Sequence, residues 1–278
     1  MSEGSKGETA RIARLIKPKA AAYIVTVFGD VAIPRGGSLW TGTLIELCAH
    51  VGINESLVRT AVSRLVAASQ LEGQRLGRRS YYCLNEAADL QFRQAADVIF
   101  GPVPLAKGWR ILHDPALSPD EARRQRMGHM GGHVYIQPDR GQAAPASGLA
   151  FHAQSLAGSA NIAQFWDLEA LQSGYARFLA LFQGLRADSV VGAQALALRL
   201  LLVHAYRFVI LRDPHLGLTY LPSTWSASKA KDVFRQLYLE LSPAADRYIQ
   251  QRCLGVDGPL AGATPATEQR KHALSDDH

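Results

Sequence analysis

The chain has 278 residues, 47% of them hydrophobic and 19% charged, with a formal net charge of +6. That is ordinary globular composition, long enough for two or three domains, and the basic balance suits a polyanionic partner. It speaks against a membrane or exported protein. The most apolar window, Val190 to Leu211, is interrupted by Arg199, His204 and Arg207, the N-terminus shows no secretion signal, and Cys48, Cys83 and Cys253 form no CxxC pair.

The cysteines read as reduced thiols of a cytoplasmic protein. Residues 1–19 are polar and rich in Gly, Ser and Lys, and a disordered arm is expected there. Between residues 20 and 88 helical periods give way to a hairpin. One helix carries Leu44, Leu47 and Cys48 inward and ends near Gly52, a residue free to take the left-handed conformation that stops a helix. Asn54 is placed to cap the next helix. Its predicted buried stripe is Leu57, Val58, Ala61, Val62, Leu65 and Val66, and Arg59, Thr60, Ser63 and Arg64 share the other face. Two guanidiniums for guanine edges or phosphates, with small hydroxyls that permit close approach, are what a major-groove helix needs. Helix, glycine turn, helix is the helix-turn-helix pattern.

The stretch QRLGRRSYYCL, Gln74 to Leu84, follows directly. It predicts a hairpin turning at Leu76-Gly77-Arg78, with Tyr82 and Leu84 on the core face and Arg79, Tyr81 and Cys83 on the other. A hairpin after a recognition helix is a wing. Arg75, Arg78 and Arg79, with Tyr81 beside them, would lie along the DNA backbone or in the minor groove. Between residues 59 and 79 five arginines face one acid, Glu72. The rival reading of the same pattern is a winged helix that serves structure or binds only protein.

Residues 89–158 alternate strand and helix: GWRILHD, then a helix capped by Ser118, then GGHVYIQPD, then a third strand within Gly148 to Leu156. Asp114 ends the first strand, but two-metal hydrolysis needs converging carboxylates and no second one is apparent, so a surface aspartate before Pro115 is expected. His129 and His133 are separated by Gly131-Gly132, which breaks any helix that would align them, so no metal site is expected. No catalytic residue is assigned. Residues 159–254 read as all helical, with Phe165, Trp166, Tyr175, Phe178, Phe182, Phe234 and Tyr238 as core or dimer interface. Residues 255–278 lack an apolar period and read as a flexible tail. On the apolar helix, His204, Tyr206 and Arg207 need partners, since burying them alone costs several kcal/mol; Asp213 is the candidate.

With these residues set out, the chain resembles the repressor family of phenylacetic acid degradation, the PaaX-type regulators. The likeness runs through YIVTVFGD, PRGGSLWTGTLIEL, GINESLVRTAVSRLV and GRRSYYCL, resumes in GGHVYIQPD and FWDL, and ends in LVHAYRFVILRDPHLGLTYLPSTWSASKAKDVFRQLYLEL. His215-Leu216-Gly217 and Met130-Gly131 depart from the family pattern. The resemblance implies an α+β, multidomain chain: an N-terminal winged helix-turn-helix (20–88), a central ferredoxin-like, Cas2-like α/β domain (89–158) and a C-terminal all-α domain (159–254). It also implies a homodimer on a double-stranded DNA operator, released by an aryl-CoA thioester such as phenylacetyl-CoA, with no cofactor. His204, Tyr206, Arg207, Asp213 and Trp225 are the candidate effector residues, Arg207 suiting a phosphate or thioester and Trp225 or Tyr206 an aryl ring. His204, Tyr206, Arg207 and Asp213 also read as a buried network that fixes helix packing. Another acyl-CoA as ligand, or an enzyme of Cas2-like nuclease or CoA-thioester-processing type, are the alternatives.

Overall fold

Two compact units divide the protein, each assembled from segments distant in sequence. The first takes Met1–Gly101, Leu181–Tyr206 and Lys231–His278; the second takes Pro102–Ala180 and Arg207–Ala230. The computed structural model describes residues 2–143, 147–155, 159–187 and 190–276. In chain order the elements are α1 (Ser2–Ile16), α2 (Ala20–Val27), β1 (Ser38–Trp40), α3 (Thr41–Ala49), α4 (Glu55–Ala67), β2 (Leu71–Leu76), β3 (Arg79–Leu84), α5 (Glu86–Phe100), β4 (Trp109–His113), α6 (Pro119–Arg124), β5 (Gly128–Gly131), β6 (Val134–Pro138), β7 (Leu149–Ala153), α7 (Leu168–Phe182), α8 (Gly192–Ile210), α9 (Ala227–Arg252), β8 (Leu254–Gly255), β9 (Gly258–Pro259) and α10 (Pro265–Ser275). The chain is α+β.

The expectation of three consecutive modules is corrected. Residues 159–254 are shared between the units, and α5 belongs to the first unit rather than to a central domain. The cause is a polar network that draws distant segments together inside the first unit. Arg199 of α8 is fully buried; its Nε donates to Asp30 Oδ2 (3.0 Å) and its Nη1 to Asp246 Oδ1 of α9 (2.7 Å). Arg35 donates to the same Asp246 oxygen (2.8 Å), and the Tyr238 hydroxyl donates to Asp30 (2.8 Å). Burial by itself would raise the Asp30 carboxyl. The guanidiniums of Arg199, Arg270 and Arg35, with the Tyr238 hydroxyl, outweigh that and hold it below its ordinary value.

Both terminal segments form helices where an arm and a tail were expected, α1 at Ser2–Ile16 and α10 at Pro265–Ser275. Helix α1 buries Thr9, Ile12 and Ala13, a short apolar period hidden behind the polar composition of residues 1–19. At the other end β8 and β9 pair, and Leu260 donates its amide to Cys253. Thr264 then caps α10 in a reciprocal pair with Thr267, and its hydroxyl reaches the Pro34 carbonyl (2.6 Å). Arg270 lies over the Phe100 ring and donates to the Gly29 carbonyl (3.0 Å), and Leu274 is buried. A capping signal and three or four anchors hold this segment, too few to show as a period.

Helix α8 is long and apolar enough to cross a membrane, but 72% of its most apolar window is buried inside the protein, and Arg199 with its ion pairs lies within it.

The second unit is built on a four-stranded sheet in the order β5-β6-β4-β7, every pairing antiparallel. Leu112 and Tyr135 pack with Ala122 of α6 on one face. Trp109, Ile136 and Leu216 form the core of the other, with Ile111, Phe165 and Trp166 against them. Asp114 is buried, not a surface aspartate. Its carboxylate accepts from the Ser147 hydroxyl (2.8 Å) and the Ala116 amide (2.9 Å), which close a tight turn and hold its pKa below the ordinary value. His129 stacks on Tyr135 and bonds to Gly132, and His133 meets His113 edge-on. Among the described residues no three His, Cys, Asp or Glu are grouped to hold a metal ion.

Candidate nucleic-acid interface

Within the first unit α3 buries Leu44, Leu47 and Cys48. The chain then turns through Gly52 at φ +84°, and the Ile53 amide reaches back to the Cys48 carbonyl (3.1 Å). Left-handed backbone at that point is what lets α4 start three residues later. Asn54 caps α4 by accepting the Leu57 amide (3.0 Å). The buried stripe of α4 is Val58, Ala61, Val62 and Leu65. Leu57 and Val66, expected in it, flank that stripe and are 52% and 39% exposed. The core therefore takes a narrow strip of α4, and Arg59, Thr60, Ser63 and Arg64 are all exposed on the remainder. Arg59 is steadied by Glu55 one turn back (2.7 Å), a weak exposed pair that an incoming anion can displace.

The hairpin β2–β3 closes with a two-residue turn, Gly77-Arg78, Gly77 at φ +59° as the first central residue of such a turn requires. Arg75, Arg78 and Arg79 are exposed around it. The sequence pattern does not reveal the third strand, β1, which pairs with β3 and sets Trp40 opposite Tyr81 and Leu39 opposite Tyr82. This corrects the role of the tyrosines. Tyr81 shares its face with Trp40 and is buried, so it is not an exposed interface residue. Tyr82, placed in the core by alternation, is half-buried and lies over Gly73, where a β-carbon would stand 3.0 Å from its ring. Trp40 is the aromatic missed at this surface: the Arg79 guanidinium sits 4.9 Å from its ring centroid. The signal available was the short alternation Ser-Leu-Trp before α3.

The five candidate effector residues do not form one cluster within one unit. His204 and Tyr206 belong to the first. His204 Nδ1 lies 2.8 Å from the Thr26 hydroxyl, which is 3.2 Å from the Ala22 carbonyl. Tyr206 stacks on Phe234 at 4.2 Å. Arg207, Asp213 and Trp225 belong to the second. There Asp213 accepts from the Tyr175 hydroxyl and the His215 amide, and Trp225 meets the Tyr175 ring edge-on. Burial pushes the Arg207 guanidinium down to about 10. Arg140, which the sequence reading passed over, donates to the carbonyls of Pro104 (2.8 Å), Pro214 and His215 and so fixes the loop that carries Asp213.

Residues 19–88 match the family model described as PaaX-like protein, and residues 166–251 the one described as PaaX-like protein C-terminal domain. Together these take in more than half of the chain, which belongs to the PaaX-like protein family. It is 28% identical over 262 residues to the transcriptional repressor PaaX of Escherichia coli (strain K12), the match covering 83% of each chain. Among solved structures it is similar to the uncharacterized protein Rv0674 from Mycobacterium tuberculosis, at 20% identity and a TM-score of 0.46, over 74% of this chain and 90% of that one.

Proposed function

We propose that this protein is a cytoplasmic, DNA-binding transcriptional repressor, a regulator and not an enzyme, that acts as a homodimer on a double-stranded operator of an aromatic-acid catabolic operon. The observation that carries the reading is α4, which buries one narrow stripe and leaves Arg59, Thr60, Ser63 and Arg64 exposed, with Arg75, Arg78 and Arg79 exposed on the adjoining hairpin. In this reading α3 and α4 are a helix-turn-helix and β2–β3 its wing. Likeness to a protein named a transcriptional repressor supports it.

Two recognition helices related by a dimer axis would enter successive major grooves about 34 Å apart, and the wing arginines would clamp the flanking phosphates. In this reading the sheet of the second unit is a ferredoxin-like, Cas2-like domain; numbering β4 to β7 as one to four, their order 2-3-1-4 supports it. The segment between β6 and β7 supplies no second helix among its described residues.

The effector in this reading is an aryl-CoA thioester such as phenylacetyl-CoA, with Arg207, Asp213 and Trp225, which belong to one unit, as its candidate contacts. A ligand releases DNA only by binding the released state more tightly; a coupling of about 3 kcal/mol would weaken operator affinity roughly 150-fold.

Fluorescence anisotropy with DNA from upstream of the protein's own gene, with and without phenylacetyl-CoA and other acyl-CoAs, tests it. Tight, competitor-resistant binding released by one thioester is expected. A clamp of six to ten phosphates should also lose about 10³–10⁵ in affinity between 50 and 200 mM salt. Absence of specific, salt-dependent binding overturns the reading.

A further inference from the structure

β7 is an edge strand, and it carries no lysine, arginine or proline. Among the described residues no strand pairs with its outer side. All its residues except Ala153 are exposed, Leu149 at 60% and Phe151 at 56%. Both side chains lie on the sheet face that carries Ile111 and Trp109, since Phe151 is opposite Ile111 and Ala153 opposite Trp109. The cover of that face reaches Ala153 and Ile111, and the apolar surface continues past it to the edge. Natural edges are blunted by lysine, proline or inward-pointing charge. Residues 141–166 contain no Lys, Arg, Asp or Glu, the longest such run in a chain that is 19% charged, and β7 lies inside it.

We propose that β7 is the seam of the homodimer: a second copy of this chain adds its own β7, antiparallel across a two-fold axis, and joins the two four-stranded sheets into one. The inference rests on the homodimer of the proposed function and names its interface. The occupant is a second copy because of charge and symmetry. A chain of net charge +6 repels its copy over most of its surface, and this strand is a place where two copies meet with no formal charge opposed to its like.

A two-fold axis perpendicular to a continuous sheet keeps side chains on their faces, so only registers that pair a residue with itself at the axis are allowed. The register with the longest overlap centres on Phe151. It sets Phe151 against the partner copy's same residue, Leu149 against Ala153, and Ala150 against His152. One face then gains an aromatic pair flanked by aliphatic side chains. A five-residue seam is smaller than the roughly 1,200–2,000 Å² of a stable complex, so the free dimer is expected to be reversible, with the operator holding two copies together.

Sedimentation of the full chain over a concentration series should show a monomer–dimer equilibrium. Phe151→Lys, which opposes two like charges at the axis, should give monomer, while Leu105→Lys, at a residue 91% exposed elsewhere, should leave the equilibrium unchanged. Circular dichroism melts establish that both variants fold. In a Cys83→Ser background, Phe151→Cys should form a covalent dimer on mild oxidation. Opposed strand residues stand about 4.5–5.5 Å apart between Cα atoms, within disulfide reach. Leu105→Cys sets the rate of random collision.

A wild-type chain that stays monomeric, a folded Phe151→Lys variant that still dimerises, or Phe151→Cys cross-linking no faster than Leu105→Cys would each overturn the seam. Operator anisotropy separates the two readings. Specific DNA binding with a failed seam places the dimer contact elsewhere, whereas a cross-linked seam with no specific binding overturns the repressor reading.

Discussion

Two sets of arginines in the first unit use the same side chain for opposite ends. Arg35 and Arg199 are almost wholly buried and tied to Asp30 and Asp246 at 2.7 to 3.0 Å. Arg59, Arg64, Arg75, Arg78 and Arg79 are exposed, and the pairing of Arg59 with Glu55 joins two exposed neighbours on one helix face. Burial removes water from the first set, so each charge must be matched by the fold and each match joins segments far apart in the chain. Solvent keeps the second set at little cost to stability, and its charge remains for a ligand. Local charge count cannot tell the sets apart; depth can.

The largest expected effect breaks the buried set. Arg199→Ala removes the guanidinium that joins Asp30 to Asp246 and should cost about 3–5 kcal/mol in urea unfolding; a loss below about 1 kcal/mol would mean the network does not join the segments. The same network fixes a pH dependence. The folded-state pKa of Asp30 is depressed, so its contribution is present above the ordinary carboxylate value of about 3.9 and is lost as pH falls through the lower folded value. Acid titration of stability should show that limb below about pH 4, and Asp30→Asn should remove it.

Next in size, Tyr81→Ala should cost about 3 kcal/mol, within the range for deleting a buried aromatic, while Tyr82→Ala should cost clearly less. Thermal unfolding that ranks them the other way would restore the alternation-based assignment. In the exposed set, Arg78→Ala with Arg79→Ala should lower the salt slope of operator binding by about 2, one for each phosphate contact, and weaken all sequences alike. Smallest of all, Arg59→Ala should change unfolding free energy by no more than about 0.5 kcal/mol while reducing operator affinity. A stability loss comparable to that of Arg199→Ala would erase the distinction between the two sets.

The helix pair was legible because its signals are local. Gly52 at a helix end, Asn54 at a helix start and the 58-61-62-65 spacing each act within a few residues. The hairpin was legible for the same reason, down to its glycine turn. What escaped was long in range. Tyr81 is buried because β1, more than forty residues earlier, places Trp40 across from it. The terminal segments take structure because Ile12, Leu260 and Leu274 find cover elsewhere in the fold. His204 and Asp213, nine residues apart, belong to different compact units.

The sequence by itself determined the local elements, the surface of α4 that faces solvent and the arginine-rich turn, because periodicity, capping and turn chemistry are set by neighbours in the chain. Tertiary structure alone decided which tyrosine is buried, which arginines are locked and how the C-terminal helices divide between two units. Those outcomes depend on burial, and burial is conferred by residues that no local pattern names.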